Sequence, residues 1–287
     1  MYSLRSVLTL TSEALPFMRS MPTVFASLFF SLLSLSTSVS VTATETAFYK
    51  PSRGNKGDLS DARRMLYLAA FEEDMVRSYA AAGLTVTGLQ PAVYRKALLG
   101  YYNLRQRNPA SPIRPVLTII DFSRPSSQKR LWVIDLEHNR LLHHTLVAHG
   151  KNTGENMART FSNRPGSEMS SVGFFLTGPT YTGKHGLSLK LRGMDAAYNS
   201  NVTERAVVVH GADYVSEQFV RQHGRLGRSQ GCPALPANQS SAIIQDIKRG
   251  TVIYAHAPEQ VEYSSNWLTI DSALSFYAQQ RGLATGS

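Results

Sequence analysis

The chain of 287 residues contains a single cysteine, Cys232, so no intrachain disulfide can hold its fold together. It is also short of acid, with 20 Asp and Glu against 30 Lys and Arg and a net charge of +10. That imbalance points to anionic partners. No RNP-like, zinc-finger or helix-turn-helix pattern accompanies the basic charge, so nucleic acid is not the expected partner. Internal repeats and low-complexity segments are missing too. Beyond the first 43 residues, no run is long and apolar enough to cross a bilayer. What is present is a globular composition, 43% hydrophobic, with ample material for a packed core.

The one long apolar run, Pro22 to Leu35, follows Arg19 and precedes the small residues Val41-Thr-Ala43, which suit signal-peptidase cleavage. Residues 1–43 are read as a secretory signal, the run being short for a retained anchor. Met18 and Met21 make equally sensible starts. In an exported protein a basic surface meets cell-wall polymers or membrane surfaces. Residues 44–57 carry breakers and polar residues without periodicity and read as a linker.

Ser60 suits a helix N-cap, and the spacing predicts a helix over Ala62 to Ala82 with apolar positions at Leu66, Ala69, Ala70, Val76 and Tyr79. Pro91 opens a second amphipathic helix, Val93 to Arg105. These two make residues 58–108 an N-terminal helical cap or brace. The pattern then changes to period two and short apolar runs. Val116–Asp121, Leu131–Asp135 and Leu141–Ala148 read as strands, the last two joined as a hairpin through Glu137-His-Asn139. Val172–Thr177, Leu187–Leu191, Ala206–His210 and Thr251–Ala255 continue the β pattern, with a short helix expected at Ala237–Lys248. Residues 109–258 are thus a β domain, and 259–287 an amphipathic tail.

Cys232 sits in Ser229-Gln-Gly-Cys, downstream of Val207-Val-Val-His210-Gly211. The polar neighbours Arg228, Ser229 and Gln230 argue against burial as a small hydrophobe. A cysteine nucleophile needs a base, an orienting group for it, and donors aimed at the developing oxyanion. His210, at the end of an apolar strand, is the candidate base. The amides of Gly231 and Cys232 are the candidate oxyanion hole, since Gly231 permits the backbone torsions that would converge them. Pro233 stiffens the exit from the cysteine. Pairing with His210 is expected to lower the thiol pKa. Three alternatives use the same residues. His223 is a rival base in a polar segment. His185, His210, His223 and Cys232 form a conceivable metal set, although no spacing matches a short ligand pair. Gly227-Arg-Ser-Gln-Gly231 fits G-x-S-x-G, but the strand before it and the helix and histidine after it are unconvincing.

Val208-Val-His-Gly-Ala212 followed by Gly227-Arg-Ser-Gln-Gly-Cys-Pro-Ala-Leu235 resembles the L,D-transpeptidase catalytic domain, more closely its murein branch. The resemblance takes in Ser170–Phe174, His185–Leu189 and the Trp132 hairpin, and covers residues 110–258. It implies a mostly-β fold, a β-sandwich or barrel, with the cysteine in a groove under a loop. It implies acyl transfer through a cysteinyl thioester on peptidoglycan stem peptides, without metal or organic cofactor, in the periplasm or cell envelope of a bacterium. In that family the bond attacked usually lies between diaminopimelate and the terminal D-alanine. Carried over, Cys232 is the nucleophile, His210 the base and then the acid, and the Gly211 carbonyl the orienting group. Arg228 and Arg192 are candidate partners for substrate carboxylates, with Arg225 available beside them. Ser229, Tyr181 and His185 are candidate groove residues. The chain departs from the common pattern in its longer histidine-to-cysteine spacing, in Pro233-Ala234 after the cysteine, and in Gln230 where many members carry histidine. Carboxypeptidase activity, attachment or release of wall proteins, and catalytically silent wall binding are the alternatives the residues leave open.

Overall fold

The computed structural model describes residues 59–107 and 113–284. The expected signal and linker lie outside these residues, as does the boundary at 108–109.

The chain starts with helix α1 (Asp61–Ala81), the short α2 (Leu84–Thr87) and α3 (Pro91–Arg107). Ser60 caps α1 by accepting the Arg63 N–H. The buried stripe of α1 is Tyr67, Phe71 and Met75 at i, i+4 and i+8, whereas Leu66 and Val76, expected on the apolar face, are 58% and 61% exposed. The reason is aromatic packing. Phe71 meets Tyr277 edge-on at 5.5 Å and Tyr102 at 6.2 Å, and rings of that size decide which face turns inward.

The strands are β1 (Val116–Asp121), β2 (Leu131–Asp135), β3 (Arg140–Thr145), β4 (Gly173–Gly183), β5 (Gly186–Gly193), β6 (Val208–Ala212), β7 (Ala234–Pro236) and β8 (Val252–His256). Helices α4 (Ala196–Asn199), α5 (Glu217–His223), α6 (Ala237–Ile247) and α7 (Ile270–Gln280), with 3-10 turns at Lys151–Thr153 and Asn266–Leu268, complete the described elements. The sheet has eight strands in the order β3-β2-β1-β8-β4-β5-β6-β7. β2–β3 is the expected antiparallel hairpin. β3 ends at Thr145, and the apolar run beyond it crosses to the far edge, where Ala148 N–H donates to Ala234 O on β7 at 2.9 Å. The sheet therefore nearly closes on itself, a barrel with an N-terminal helical segment, as the sequence pattern and the resemblance implied.

Alternation along each strand separates two cores. Ile120, Val133, Leu189, Leu191, Val209 and Ile253 face the barrel interior with α6. Ile119, Trp132, Phe174, Leu176 and Tyr254 face outward and are covered by α1, α3 and α7. Gly100 of α3 lies against the Phe174 ring, where a Cβ would overlap it. The tail is thus a structural layer and not an appendage. Asp195 fixes its entry by accepting from Ser265 Oγ at 2.5 Å, Tyr263 Oη at 3.1 Å and the Phe174 amide at 2.7 Å. No described helix is long and apolar enough to cross a membrane.

Candidate active site

Three adjacent strand pairs bring one row of residues together. Tyr181 on β4 pairs with Ser188 on β5, Ser188 with His210 on β6, and His210 with Ala234 on β7. Directly paired residues face the same side of a sheet. Because β6 and β7 run parallel, the register carries Cys232 back alongside Val208, two residues or roughly 6.6 Å along the strand from the level of His210. The cysteine and histidine come from opposite ends of a long loop, and strand pairing brings them to nearby levels of the sheet, with Cys232 Sγ at the Val208 amide.

Both ends of the cysteine turn are built by hydrogen bonds. Ser229 is 7% exposed; its Oγ donates to Cys232 O at 2.6 Å and accepts from Gly231 N–H at 3.0 Å. Its amide donates to His149 O at 3.0 Å and its carbonyl accepts from Lys151 N–H at 2.8 Å. The hydroxyl of this serine is thus engaged within the turn itself. Gly231 has φ +119°, and a Cβ there would stand 2.7 Å from Met169 O. Only glycine fits. Ser170 Oγ donates to Gly231 O at 3.2 Å, which ties the 150–171 loop over the turn. Because the Gly231 amide already serves Ser229, the two amides do not converge as a free pair. Cys232 N–H is the open one: among the described residues nothing accepts from it.

Cys232 is half-buried. Its Sγ accepts from Val208 N–H at 3.4 Å and lies 3.9 Å from Ala206 O. No hydrogen bond joins it to His210. The expected lowering of the thiol pKa is reversed: burial pushes it up, against the smaller opposing effects of the Val208 amide, Arg205 and Lys184. His210 is 4% exposed. Its Nδ1 meets Gly211 O at 2.9 Å, and its ring stacks on His185 at 4.4 Å. Burial holds the imidazole below its ordinary 6.5, with His185 and Lys184 adding to the shift and the Gly211 carbonyl opposing it. A neutral imidazole with one nitrogen tied to a carbonyl can accept a proton on the other. Gly211 itself packs on α6, where a Cβ would stand 2.5 Å from Ser240 Oγ.

The other candidates divide. His185 is at the site through its stack, in the exposed β4–β5 turn. Tyr181 shares the row at two strand spacings, roughly 9.6 Å from His210, 40% exposed, with Lys190 Nζ 5.9 Å over its ring. Arg192 is elsewhere: it pairs with Leu176, four residues or roughly 13 Å along β5 from Ser188, and lines a groove of about 300 Å³ with Lys190, Thr177 and Gly250. Arg228 is engaged within the protein through Nη1, which donates to Glu155 Oε1 at 2.6 Å and to Lys151 O at 3.1 Å. Arg225 Nε takes the other oxygen of Glu155 at 2.9 Å. His223 is exposed on α5 and stacks on Phe219 at 4.1 Å.

Sequence reasoning passed over three contributors. Arg130, fully buried, donates to Val147 O at 3.1 Å, Arg124 O at 2.8 Å and His149 Nδ1 at 2.8 Å. His149 Nε2 then faces the carbonyls of Gly154 and Glu155 at 3.2 and 3.1 Å, which fixes the loop beside the cysteine turn. Arg205 reaches the same loop from the turn before β6. A signal for His149 was legible: Leu146-Val-Ala-His-Gly150 repeats the apolar-His-Gly ending of the β6 segment. Isolated arginines give no such signal.

Compared with known proteins, residues 85–256 match a family model described as L,D-transpeptidase catalytic domain, more than half of the chain. The match starts inside α2, well before the β domain. Similar solved structures include an L,D-transpeptidase from Mycobacterium smegmatis, 14% identical over 50% of this chain and 59% of that one, TM-score 0.32. The helical cell shape determining protein Pgp2 from Campylobacter jejuni is 10% identical over 60% of this chain and 58% of that one, TM-score 0.36. An L,D-transpeptidase from Xylanimonas cellulosilytica is 12% identical over 72% of this chain and 99% of that one, TM-score 0.29. The chain spans about three fifths of the length of the first solved structures it matches. No curated protein matches it.

Proposed function

The chain belongs to the L,D-transpeptidase catalytic domain family, which acts on peptidoglycan peptides, and we propose that it is an exported enzyme of the cell envelope that transfers stem-peptide acyl groups through a thioester on Cys232. The observation that carries this reading is the β6–β7 register, which sets a half-buried lone thiol beside a neutral, carbonyl-anchored imidazole on one face of the sheet.

In the proposed reaction His210 takes the thiol proton as Sγ attacks the carbonyl carbon of the L,D bond. The C–S bond forms while the carbonyl π electrons move to oxygen, where the open Cys232 amide donates. Collapse expels D-alanine, whose amine takes the proton from His210. An acceptor amine, with His210 again as base, then displaces the thiolate; water in its place gives the hydrolysed peptide. The thiol and imidazole are apart in the free chain, and such contacts commonly tighten only when substrate is bound. Export is supported by the apolar run Pro22–Leu35 with small residues after it.

Mass spectrometry of products from a diaminopimelate-containing disaccharide-tetrapeptide tests the reading. Cys232-dependent cross-linked dimers are expected. Tripeptide alone would reassign the protein as a carboxypeptidase. Full turnover by Cys232→Ala would end the proposal, and an unchanged tetrapeptide would favour silent wall binding.

A further inference from the structure

Arg205 has no role in the reaction as described, yet its placement is elaborate. It lies at the end of the turn from Asn201 to Ala206 that feeds β6. Ala206 adopts φ +52°, a left-handed conformation that costs a residue with a Cβ. The turn is held by Arg205 N–H to Asn201 O at 2.8 Å, Val207 N–H to Val202 O at 2.9 Å, and Thr203 Oγ1 to Leu191 O at 3.2 Å. The same turn sets Ala206 O 3.9 Å from Cys232 Sγ.

The guanidinium is half-buried and makes four hydrogen bonds. Nη1 donates to Ser162 O at 2.7 Å and Ser171 Oγ at 2.6 Å; Nη2 donates to Met169 O at 2.5 Å and Ser167 Oγ at 3.3 Å. Every acceptor is neutral, and among the described residues no carboxylate lies within ion-pair distance. A guanidinium removed from water without an anion is costly. Burial lowers the Arg205 pKa, and the one charge that opposes this is the Cys232 thiolate. Geometry agrees, because Nη2 is 3.2 Å from where a Gly231 Cβ would stand, directly beside the cysteine.

We propose that Arg205 is a positioning residue for Cys232: it clamps the 162–171 loop over the cysteine turn and holds an unpaired positive charge where the thiolate forms. This rests on Cys232 being the nucleophile. The other ionisable groups that bear on the thiol are Lys184 in the β4–β5 turn and Tyr214 after β6, with the stacked His185 and His210 on the neighbouring β5 and β6 side. None of them is anchored by four hydrogen bonds against the cysteine turn.

The two parts of this role move the thiol in opposite directions. Losing the charge makes the thiolate harder to form, whereas losing only the clamp admits water and makes it easier. Alkylation by iodoacetamide, in which the thiolate sulfur displaces iodide, reads a single site because Cys232 is the only cysteine. Its rate is followed against pH in the whole chain for wild type, Arg205→Gln and Arg205→Lys, with folding checked by circular dichroism. The expected result is a midpoint about one unit higher for Arg205→Gln, an alkylation roughly tenfold slower below it, and near-wild-type behaviour for Arg205→Lys. Faster alkylation of Arg205→Gln, or a lysine variant as slow as the glutamine one, overturns the proposal. If Arg205→Gln does not fold, Arg205→Lys decides: a preserved midpoint supports the role and a rise of a unit overturns it. Turnover by Cys232→Ala tests the nucleophile separately. A Cys232-dependent enzyme with an unshifted glutamine variant sinks only the Arg205 role.

Discussion

The chain has two histidine-glycine pairs that end apolar runs, His149-Gly150 and His210-Gly211, and the fold gives them opposite environments. Both imidazoles are buried. His149 has both ring nitrogens engaged, Nδ1 by Arg130 and Nε2 by loop carbonyls. Burial and the Arg130 charge drive its pKa down to about 4. His210 has only Nδ1 engaged, by its neighbour's carbonyl, and its ring is covered by another imidazole in an exposed turn. The first fastens the loop beside the cysteine, and the second keeps Nε2 without a hydrogen bond among the described residues, as the proposed proton transfer requires. The difference teaches that a histidine's use is set by how many of its nitrogens the fold leaves open.

The largest expected effect separates the pair by turnover. His210→Gln should slow acyl transfer by about 10²–10⁴-fold with little change in melting temperature. His149→Gln should do the reverse, leaving turnover per folded molecule within a few-fold but lowering stability by about 1–3 kcal/mol, as Arg130 loses a buried acceptor. Equal losses of turnover in both variants would erase the distinction.

A pH series sharpens it. His149 in the folded chain takes its proton near 4, against the ordinary 6.5. The unfolded state therefore binds more protons between those values, so stability is present above about pH 6.5 and is lost as pH falls toward 4. The loss is about 3 kcal/mol by linkage. Urea unfolding from pH 7 to 4 should show it in wild type, and most of it should vanish in His149→Gln. A parallel slope in that variant would mean that other groups carry the acid sensitivity.

A third measurement compares the cysteine region with the helical layer that covers other strands of the sheet. Gly100→Ala drives a methyl into the Phe174 ring and should cost about 1–3 kcal/mol by overpacking. The pH profile of Cys232 alkylation should stay unchanged in this variant, because the helices pack on β1, β2, β4 and β8 whereas the cysteine turn leads into β7 beside β6. Altered alkylation would reveal coupling between the two regions.

The smallest effect concerns the thiol alone. With its pKa raised above the ordinary 9 by burial, the wild-type alkylation rate should keep climbing through pH 9. A midpoint below that of a free cysteine would restore the ion pair expected from the sequence.

Much of the barrel was legible because alternating apolar residues mark strands without knowledge of their neighbours: Val116–Asp121, Leu131–Asp135 and the Glu137–Asn139 hairpin stand where the pattern put them. The two N-terminal helices were legible for the same reason. Which face of α1 turns inward was not, since that depends on rings from α3 and α7 that arrive much later in the chain. Helix α7 itself was only a periodic tail in the sequence, because its order comes from α1, α3 and Asp195.

For the site, the sequence by itself determined the chemical inventory: one thiol, a glycine before it that tolerates φ +119°, and a histidine closing an apolar strand. Those are properties of residue type and local backbone, which short range fixes. Only the tertiary structure decided which groups face one another. Strand register set the cysteine beside Val208 and moved Arg192 away, loop closure occupied Arg228 with Glu155, and burial reversed the expected shift of the thiol. Each of these depends on distances between segments far apart in the chain and on the exclusion of water, neither of which a local pattern contains.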